Sequence, residues 1–320
     1  MVGDEEGRKG AAAAAQQREE EEEDPFWKAE LHGHELRALD ELMPDREDEA
    51  VLEEWWQPSD VQRVHVEVPT DKAQEAPLVV TIQQIQSDGV LSAVGGELWP
   101  SARVLAAILA HHHTAERPSG GADMAQSLLE LNGKTVLEVG AGLGLLGLAA
   151  ARLGARVVLT DSVPALLDNL QETVALNVHL HGEFPGPNPL VASLDWSDWR
   201  DTLSALPAGP FHLVLGSELI YAPHHALHLA PLVASLLLPS PHSPRPPEEQ
   251  PRCVIVQRGD RPGWLRFLEE CRSHGLQVTL RPVEDLATHI PTCKELSADV
   301  DLSPLVYCEM TAAETPIVAD

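Results

Sequence analysis

The stretch TVLEVGAGLGLLGLAAARLG, residues 135–154, decides the fold of this chain. Its first residues are apolar or β-branched and predict a short buried strand, while the glycines that follow permit a sharp turn close to a ligand. Leucine and alanine then recur at helical spacing as far as Gly154, where a helix is expected to end. Strand, turn and helix amino terminus together predict a nucleotide-binding turn with free backbone N–H groups facing a polar ligand.

The spacing of the glycines alone leaves the ligand open. Gly140, Gly142 and Gly144 fit a Gly-x-Gly-x-Gly pattern, whereas Gly142, Gly144 and Gly147 fit the Gly-x-Gly-x-x-Gly pattern of dinucleotide binders. Glu138 stands just before these glycines and favours a cationic or amine-bearing ligand over a pyrophosphate. S-adenosylmethionine has an α-amino group and a sulfonium, so it suits this acid. The alternative is a glycine-rich turn that only packs the helix against the strand.

A second acid ends the next predicted strand, residues 156–161. A carboxylate at the position of Asp161 can accept hydrogen bonds from both ribose hydroxyls of an adenosine. The alternative is a capping carboxylate for the helix that opens at Pro164, a role that Ser162 could fill equally well. We favour the ribose role because Asp161 accompanies the glycine turn.

Strands and helices alternate along the rest of the chain with short loops. This order is typical of a doubly wound, mostly parallel α/β sheet. Before it, the alternating valines of 64–68 and the apolar run 78–82 predict an amino-terminal β-hairpin laid against the main domain. Further strands are predicted at 190–194, 211–221, 253–257, 276–280 and 305–309, which with the first two complete a seven-stranded sheet.

The chain divides into three predicted parts. Residues 1–50 contain a one-sided acidic block and few apolar residues, so we expect a solvated tail that does not fold alone. Residues 51–95 form an extension that contains the hairpin, and residues 96–320 form the main domain. Residues 239–251 are rich in proline, serine and glutamate and predict a loop inserted into that domain.

Several polar and aromatic residues follow the predicted third and fourth strands. In an open α/β sheet the ligand lies beyond the carboxyl ends of the strands. We therefore expect one opening at the carboxyl ends of the strands, the mouth of the site, to be lined by the glycine turn, Asp161, Trp196, Ser217, Glu218 and Tyr221. Trp99 stands just before the helix predicted to start at Pro100, where core packing is the more common role.

Charge composition restricts the partners. The 320 residues include 22 Lys or Arg and 50 Asp or Glu, for a formal net charge of −28. Because there is no basic surplus to displace phosphate counterions, we expect no direct nucleic-acid partner. An acidic protein meets basic protein surfaces more readily, although solubility alone would also explain the charge.

Cysteine and histidine spacing predicts neither a disulfide framework nor a metal site. The four cysteines are far apart, without a Cys-x-x-Cys pair, and are expected to be reduced thiols. His224, His225 and His228 are expected to be exposed.

No apolar run approaches the roughly 20 residues that span a bilayer, and no leader pattern is recognised. These features predict a cytoplasmic or nuclear protein that does not associate with membranes, and we expect a monomer.

Taken together, these motifs resemble those of seven-stranded class I methyltransferases, and within that class methyltransferase family 16, which includes many protein-lysine methyltransferases. The resemblance covers residues 61–310. It rests on ELWP at 97–100, EVGAGLG at 138–144, TD at 160–161, LDW at 194–196 and GSELIY at 216–221.

The resemblance implies a cofactor site and a methyl acceptor site. The implied cofactor is S-adenosylmethionine, and with the glycine pattern and its preceding acid the predicted contacts are Trp99, Glu138, Gly140, Ala141, Gly142, Gly144, Asp161, Trp196 and Ser217. The family's usual Asp-x-x-Tyr motif reads Glu218-Leu-Ile-Tyr221 here, which keeps the charge with one extra methylene. Glu218 would orient an acceptor lysine through its ammonium, and Tyr221 would flank the amine. The alternative is a capping acid and a packed aromatic at the next helix start.

Three functions follow from these expectations. A protein-lysine methyltransferase acting on a substrate with a basic surface is favoured. A methyltransferase for another acceptor, such as histidine or a small molecule, would share the same cofactor site. A cofactor-binding interaction protein without catalysis is the third. An NAD-dependent dehydrogenase is disfavoured, because nothing after Asp161 resembles a second dinucleotide-binding half.

Overall fold

The computed structural model describes residues 61–68, 77–85, 95–114, 131–206, 210–239 and 250–313. The acidic tail of residues 1–50 and most of the proline-rich loop lie outside the described residues. The three-part division of the chain therefore stays a prediction.

The strands in these ranges form two sheets. The first sheet is an antiparallel hairpin of β1 (Val61–Val68) and β2 (Leu78–Ile85). The second sheet has seven strands: β3 (Thr135–Glu138), β4 (Arg156–Asp161), β5 (Leu190–Ser193), β6 (Leu213–Ser217), β7 (Arg252–Arg258), β8 (Leu276–Pro282) and β9 (Leu305–Ala312). The predicted seven-stranded α/β sheet and the amino-terminal hairpin are thereby confirmed.

The strand order of the large sheet is β5-β4-β3-β6-β7-β9-β8. The first five strands in this order run parallel, and β9 pairs antiparallel with both β7 and β8. The chain moves outward in opposite directions from β3, to β4 on one side and to β6 on the other. A crevice at the carboxyl ends of the strands is expected at such a switch point, because the loops that follow the strands diverge there.

Helices cover the sheet on both faces. In chain order they are α1 (Pro100–Thr114), α2 (Leu145–Arg152), α3 (Pro164–His181), α4 (Trp199–Ser204), α5 (His225–Leu237), α6 (Trp264–Ser273), α7 (Val283–Ala287) and α8 (Pro291–Leu296), with a 3₁₀ turn at Trp196–Asp198 before α4. Within the described ranges, every helix is too short or too polar to span a lipid bilayer.

The helix α1 is more deeply buried than its pattern predicts. The spacing of Val104, Leu105 and Ile108 suggests one apolar face, but every residue from 104 to 110 is buried. The reason is tertiary, because α1 packs against α2, β7 and α8 together. Its amino terminus is consequently held in a fixed place at the strand ends.

The hairpin is attached to the large domain through the side-chain amide of Asn177 on α3. This amide accepts a hydrogen bond from Thr81 N–H at 3.0 Å and donates one to the Thr81 carbonyl at 2.6 Å. Asn169, two turns earlier, donates to the Gln83 carbonyl at 3.0 Å. Because these groups are buried, the bonds replace the water that the centre of β2 would otherwise need.

Candidate active site

The glycine turn joins β3 to α2 and holds three left-handed residues. Gly140, Gly142 and Gly144 have φ angles of 60°, 52° and 79°, which residues with a Cβ rarely adopt. The N–H of Ala141 donates to the Thr160 carbonyl at 2.8 Å, so the turn is tied to the end of β4. The four residues predicted to contact the cofactor here therefore lie in one rigid loop.

Trp196 lies directly on this turn. A Cβ at Gly140 would stand 3.0 Å from Trp196 Cζ2 and 2.9 Å from Leu219 Cδ2. The 3₁₀ turn that positions Trp196 is capped by Asp195, whose side chain accepts a hydrogen bond from Ser197 N–H at 2.8 Å. The ends of β3, β5 and β6 thus meet at Gly140, as the strand pattern predicts.

Glu138 ends β3 beneath the turn and is almost fully buried. Its Oε2 accepts a hydrogen bond from Gly147 N–H at 2.7 Å, whereas Oε1 has no partner among the described residues. Burial raises the pKa of this carboxyl to about 8, and the nearby Asp161 adds to the increase. A cation beside the open oxygen would stabilise the ionised form.

Asp161 ends β4, and both of its oxygens are engaged. Oδ2 accepts from Gly142 N–H at 3.0 Å, and Oδ1 accepts from Ser162 N–H at 2.8 Å and Val163 N–H at 3.2 Å. Burial raises its pKa, and these three bonds oppose that rise. The carboxylate therefore braces the glycine turn and the entry to α3, and Oδ2, which accepts a single hydrogen bond, retains a lone pair for a further donor. Its ribose role stays a prediction.

Ser217 and Trp99 stand further along the same edge. Ser217 is the last residue of β6 and pairs with Val256 of β7. Its hydroxyl makes no hydrogen bond within the described part of the chain and is half-buried. Trp99 immediately precedes α1, and its ring lies under the guanidinium of Arg261, with 5.3 Å from Cζ to the ring centroid.

Glu218 has an unusual backbone and a crowded carboxylate. Its φ of 51° is left-handed, the one non-glycine case in the described ranges. Oε1 accepts from Ser101 Oγ at 2.5 Å and from Arg258 N–H at 3.2 Å, while Oε2 accepts from Arg261 Nε at 3.2 Å. Since both oxygens have partners within the chain, the predicted contact of Glu218 with an acceptor lysine stays a prediction.

Tyr221 follows Glu218 in the loop that leads to α5. Its ring centroid lies 4.1 Å from that of His225, with the two planes at 80°. Burial raises the pKa of the phenol, and the charge of Asp161 contributes to the rise. The hydroxyl is therefore neutral at physiological pH and remains a hydrogen-bond donor.

The expectation that His225 is exposed is wrong. Only 6% of its surface is accessible, and its ring also meets Trp196 edge-on at 5.8 Å. Burial lowers its pKa to about 4, so the imidazole is neutral, and its Nδ1 has no partner among the described residues. The error arises because neighbouring residues on a helix face different ways, so that His224 is exposed while His225 points inward.

The sequence range that builds this mouth matches a known family. A profile of the family described as lysine methyltransferase matches residues 79–243, which include the glycine turn, Asp161, Trp196 and the Glu218–Tyr221 motif. The chain belongs to this family. Membership in the lysine methyltransferase family confirms the resemblance to methyltransferase family 16 and supports S-adenosylmethionine as the cofactor.

Relatives of this family member include proteins named as lysine methyltransferases and proteins named as arginine methyltransferases. The protein N-lysine methyltransferase METTL21A of Danio rerio is 38% identical over 29% of this chain and 39% of its own length. The same protein of Mus musculus is 33% identical over 43% of this chain and 53% of its own. The histone-arginine methyltransferase METTL23 of Xenopus laevis is 31% identical over 51% of this chain and 58% of its own. The chain thus spans about half the length of the curated relatives it matches.

The residues of this lysine methyltransferase family member fit the expected cofactor. Glu138 is a buried carboxylate, and its Oε1 has no hydrogen-bond partner in the described ranges, which suits an α-ammonium group. A Cβ at Gly140 would collide with the indole of Trp196 and with Leu219, so glycine at this position lets both side chains pack directly on the turn. In the described residues, no group of three or more His, Cys, Asp or Glu side chains could hold a metal ion.

Proposed function

We propose that this protein transfers a methyl group from S-adenosylmethionine to a lysine side chain of a protein substrate. The observation that carries the proposal is the buried carboxylate of Glu138, which has one open oxygen beneath a left-handed glycine turn. The family assignment and the names of the two METTL21A relatives support lysine as the acceptor.

The chain's own residues would bind and orient the two reactants. The bound cofactor supplies a methyl group on a sulfonium, an electrophile that a neutral amine attacks directly. Glu138 would neutralise the α-ammonium, Asp161 would accept from the ribose hydroxyls, and Trp196 would cover the adenine side of the turn. Because such a transfer needs alignment more than covalent help, positioning would supply much of the rate enhancement.

Tyr221 and His225 would shape the part of the site that receives the acceptor lysine. A lysine ammonium has a pKa of about 10.4 in water and must lose a proton before attack. Tyr221 keeps its own proton, since burial raises its pKa, so it would pack against the amine or donate to a neighbouring group. His225 supports its ring from behind at 4.1 Å.

The partner and cellular setting belong to the same proposal. The net charge of −28 supports a substrate with a basic surface. We propose a monomer in the cytoplasm or nucleus; the four cysteines, all free and buried, support a reducing compartment.

Methyl transfer in a cell extract tests the proposal. The purified protein is incubated with isotope-labelled S-adenosylmethionine and an extract from cells in which the gene for this protein is deleted. Mass spectrometry then locates the label. We expect methyl-lysine, with loss of labelling in Asp161→Ala and little change in the exposed Ser162→Ala. Label on arginine, histidine or a small molecule would replace the lysine assignment, whereas binding of the cofactor without any product would favour a non-catalytic protein.

A further inference from the structure

Arg261 is a positively charged residue at the mouth of the site, and the proposed function gives this charge no role. It lies in the loop between β7 and α6, and its Nε donates to Oε2 of Glu218 at 3.2 Å. The side chains of Arg261 and Glu218 are only 12% and 5% exposed. Salt screens an ion pair this deeply shielded from water less than it screens a surface pair.

The guanidinium is held in a defined orientation. It stacks 5.3 Å from the centroid of the Trp99 ring, a distance at which an arginine cation is attracted by the indole face. Glu218 is itself fixed by Ser101 Oγ and Arg258 N–H, and by a left-handed backbone that few side chains adopt. Arg261 is therefore preorganised and does not have to search for its position when a ligand arrives.

Most of the hydrogen-bonding capacity of Arg261 remains open. Of its five N–H donors, only the one on Nε has a partner among the described residues. The remaining four are on Nη1 and Nη2, in the fork that pairs bidentately with a carboxylate. A largely buried guanidinium with an open fork points to an anionic ligand.

The surroundings place this fork beside the cofactor site. Glu218 directly follows Ser217 at the end of β6, and the next residue, Leu219, packs on Gly140 of the glycine turn. Ser101 stands in the first turn of α1, where the positive end of the helix dipole adds to the attraction for an anion. A ligand that lies across the mouth from Trp196 would extend toward the guanidinium of Arg261.

We propose that Arg261 binds the carboxylate of the methionine portion of S-adenosylmethionine, and that Glu218 is a positioning residue that holds Arg261 in place. The inference rests on the proposed function, because it presumes the cofactor. It also gives Glu218 a role that differs from the predicted contact with an acceptor lysine. The α-ammonium and the carboxylate of the same ligand would then meet Glu138 and Arg261 separately.

A matched pair of ligands isolates the carboxylate. S-adenosylmethionine and its decarboxylated form differ by that group alone, and calorimetry measures the affinity of each for the full chain. We expect the wild-type protein to prefer S-adenosylmethionine by about ten-fold or more, as one charged hydrogen-bonded pair provides. Arg261→Gln should abolish this preference by weakening only the carboxylated ligand, and Arg261→Lys should retain part of it.

Two further variants separate positioning from direct contact. Glu218→Gln should lower the affinity for S-adenosylmethionine and spare the decarboxylated form, because Arg261 loses its anchor; a Glu218 that serves only the acceptor would change neither affinity. Arg258→Ala is the control, since its side chain hydrogen-bonds to Asp260, and its hydrogen bond to Glu218 comes from the backbone N–H, which the substitution retains. Its preference should match the wild type.

The outcomes distinguish this inference from the proposed function. Equal loss of both affinities in Arg261→Gln, or no loss of either, would overturn the role of Arg261 while leaving the methyltransferase assignment intact. If Arg261→Gln does not fold, as judged by thermal unfolding, Arg261→Lys decides by the same ratio. A wild-type protein that binds neither ligand would overturn both.

Discussion

The carboxylate of Asp161 accepts a hydrogen bond from the backbone N–H of Gly142 at 3.0 Å. This bond joins the end of β4 to the turn after β3, two segments that a helix separates in the chain. Asp161, which is predicted to bind the ribose, thus also stabilises the glycine turn that would contact the nucleoside. Binding and local stability are therefore expected to change together when Asp161 is altered.

Asp161→Ala is predicted to lose cofactor binding and to destabilise the fold. The substitution leaves the N–H groups of Gly142, Ser162 and Val163 without their acceptor, at a cost of about 1–3 kcal/mol for each one that water cannot reach. Urea unfolding and S-adenosylhomocysteine calorimetry measure the two effects. Asp161→Asn keeps one acceptor oxygen, which can serve Ser162 and Val163 but not Gly142, so it should recover part of the stability and little of the affinity. Full affinity in either variant would rule out the ribose role.

Gly140→Ala is predicted to displace Trp196 and Leu219 from the glycine turn and thereby to weaken cofactor binding. The new Cβ would lie 2.9 Å from Leu219 and 3.0 Å from Trp196, in addition to the strain of a φ of 60°. Gly133→Ala is the matched control, because its φ is 72° and nothing lies within 4 Å of its Cβ. The control should cost about 1–2 kcal/mol of unfolding free energy from the backbone alone and bind S-adenosylhomocysteine normally. Gly140→Ala should be less stable than the control and bind at least about ten-fold more weakly.

The affinity for the cofactor is predicted to rise with pH through Glu138. Burial raises its pKa from 4.5 to about 8, so in this window the folded protein holds a proton that the unfolded chain has released. The stability of the ligand-free protein should therefore fall as pH rises through the same window. A ligand ammonium favours the ionised carboxylate, so binding at pH 7 should release a proton.

Calorimetry of S-adenosylhomocysteine in two buffers of different ionisation enthalpy detects this proton. Glu138→Gln is the control, since it cannot titrate and retains the acceptor oxygen that faces Gly147. We expect weaker binding in the variant, with neither proton release nor a rise in affinity between pH 6 and 8. A wild-type protein without proton release would contradict a raised pKa for Glu138.

His225 is predicted to destabilise the protein in mild acid. Its pKa is lowered from 6.5 to about 4, so the unfolded chain binds a proton in this window that the folded protein does not. Stability should consequently fall as pH decreases from 6.5 to 4. His225→Phe preserves the edge-on packing with Tyr221 and Trp196 and should reduce this fall, as urea unfolding at pH 5 and pH 7 would show.

His225→Ala separates packing from titration. The smaller side chain leaves a cavity beside Tyr221 and should cost about 2–4 kcal/mol at pH 7, where the imidazole is neutral. His225→Phe keeps the packing but loses the hydrogen bond of the imidazole to the Leu219 backbone, so it should be more stable than His225→Ala at that pH. If both variants were equally unstable at pH 7, this hydrogen bond would matter more than the packing of the ring.

Local patterns were sufficient to predict the frame of the site. The apolar run before Gly140 and the acid after the next strand place Glu138 and Asp161 at the ends of β3 and β4, as observed. Such predictions succeed because strand ends and tight turns depend on the conformational limits of neighbouring residues. The parallel order of the sheet then brings the ends of distant strands to one edge.

The chemical surroundings of the predicted residues could not be read in the same way. No pattern indicates that Glu218 pairs with Arg261, which is 43 residues away, or that Ser101 in α1 donates to the same carboxylate. Likewise, His225 lies between the exposed His224 and the half-buried His228, and only the packing of Trp196 and Tyr221 distinguishes it.

The sequence by itself determined the alternation of strands and helices, the glycine turn and the acids at the strand ends, because these follow from interactions between residues close in the chain. The tertiary structure alone decided which oxygen of Glu138 stays open, which cation Glu218 holds and which histidine is buried. Those properties depend on side chains brought together from distant segments, where burial and neighbouring charge set the hydrogen bonds and the protonation of each group.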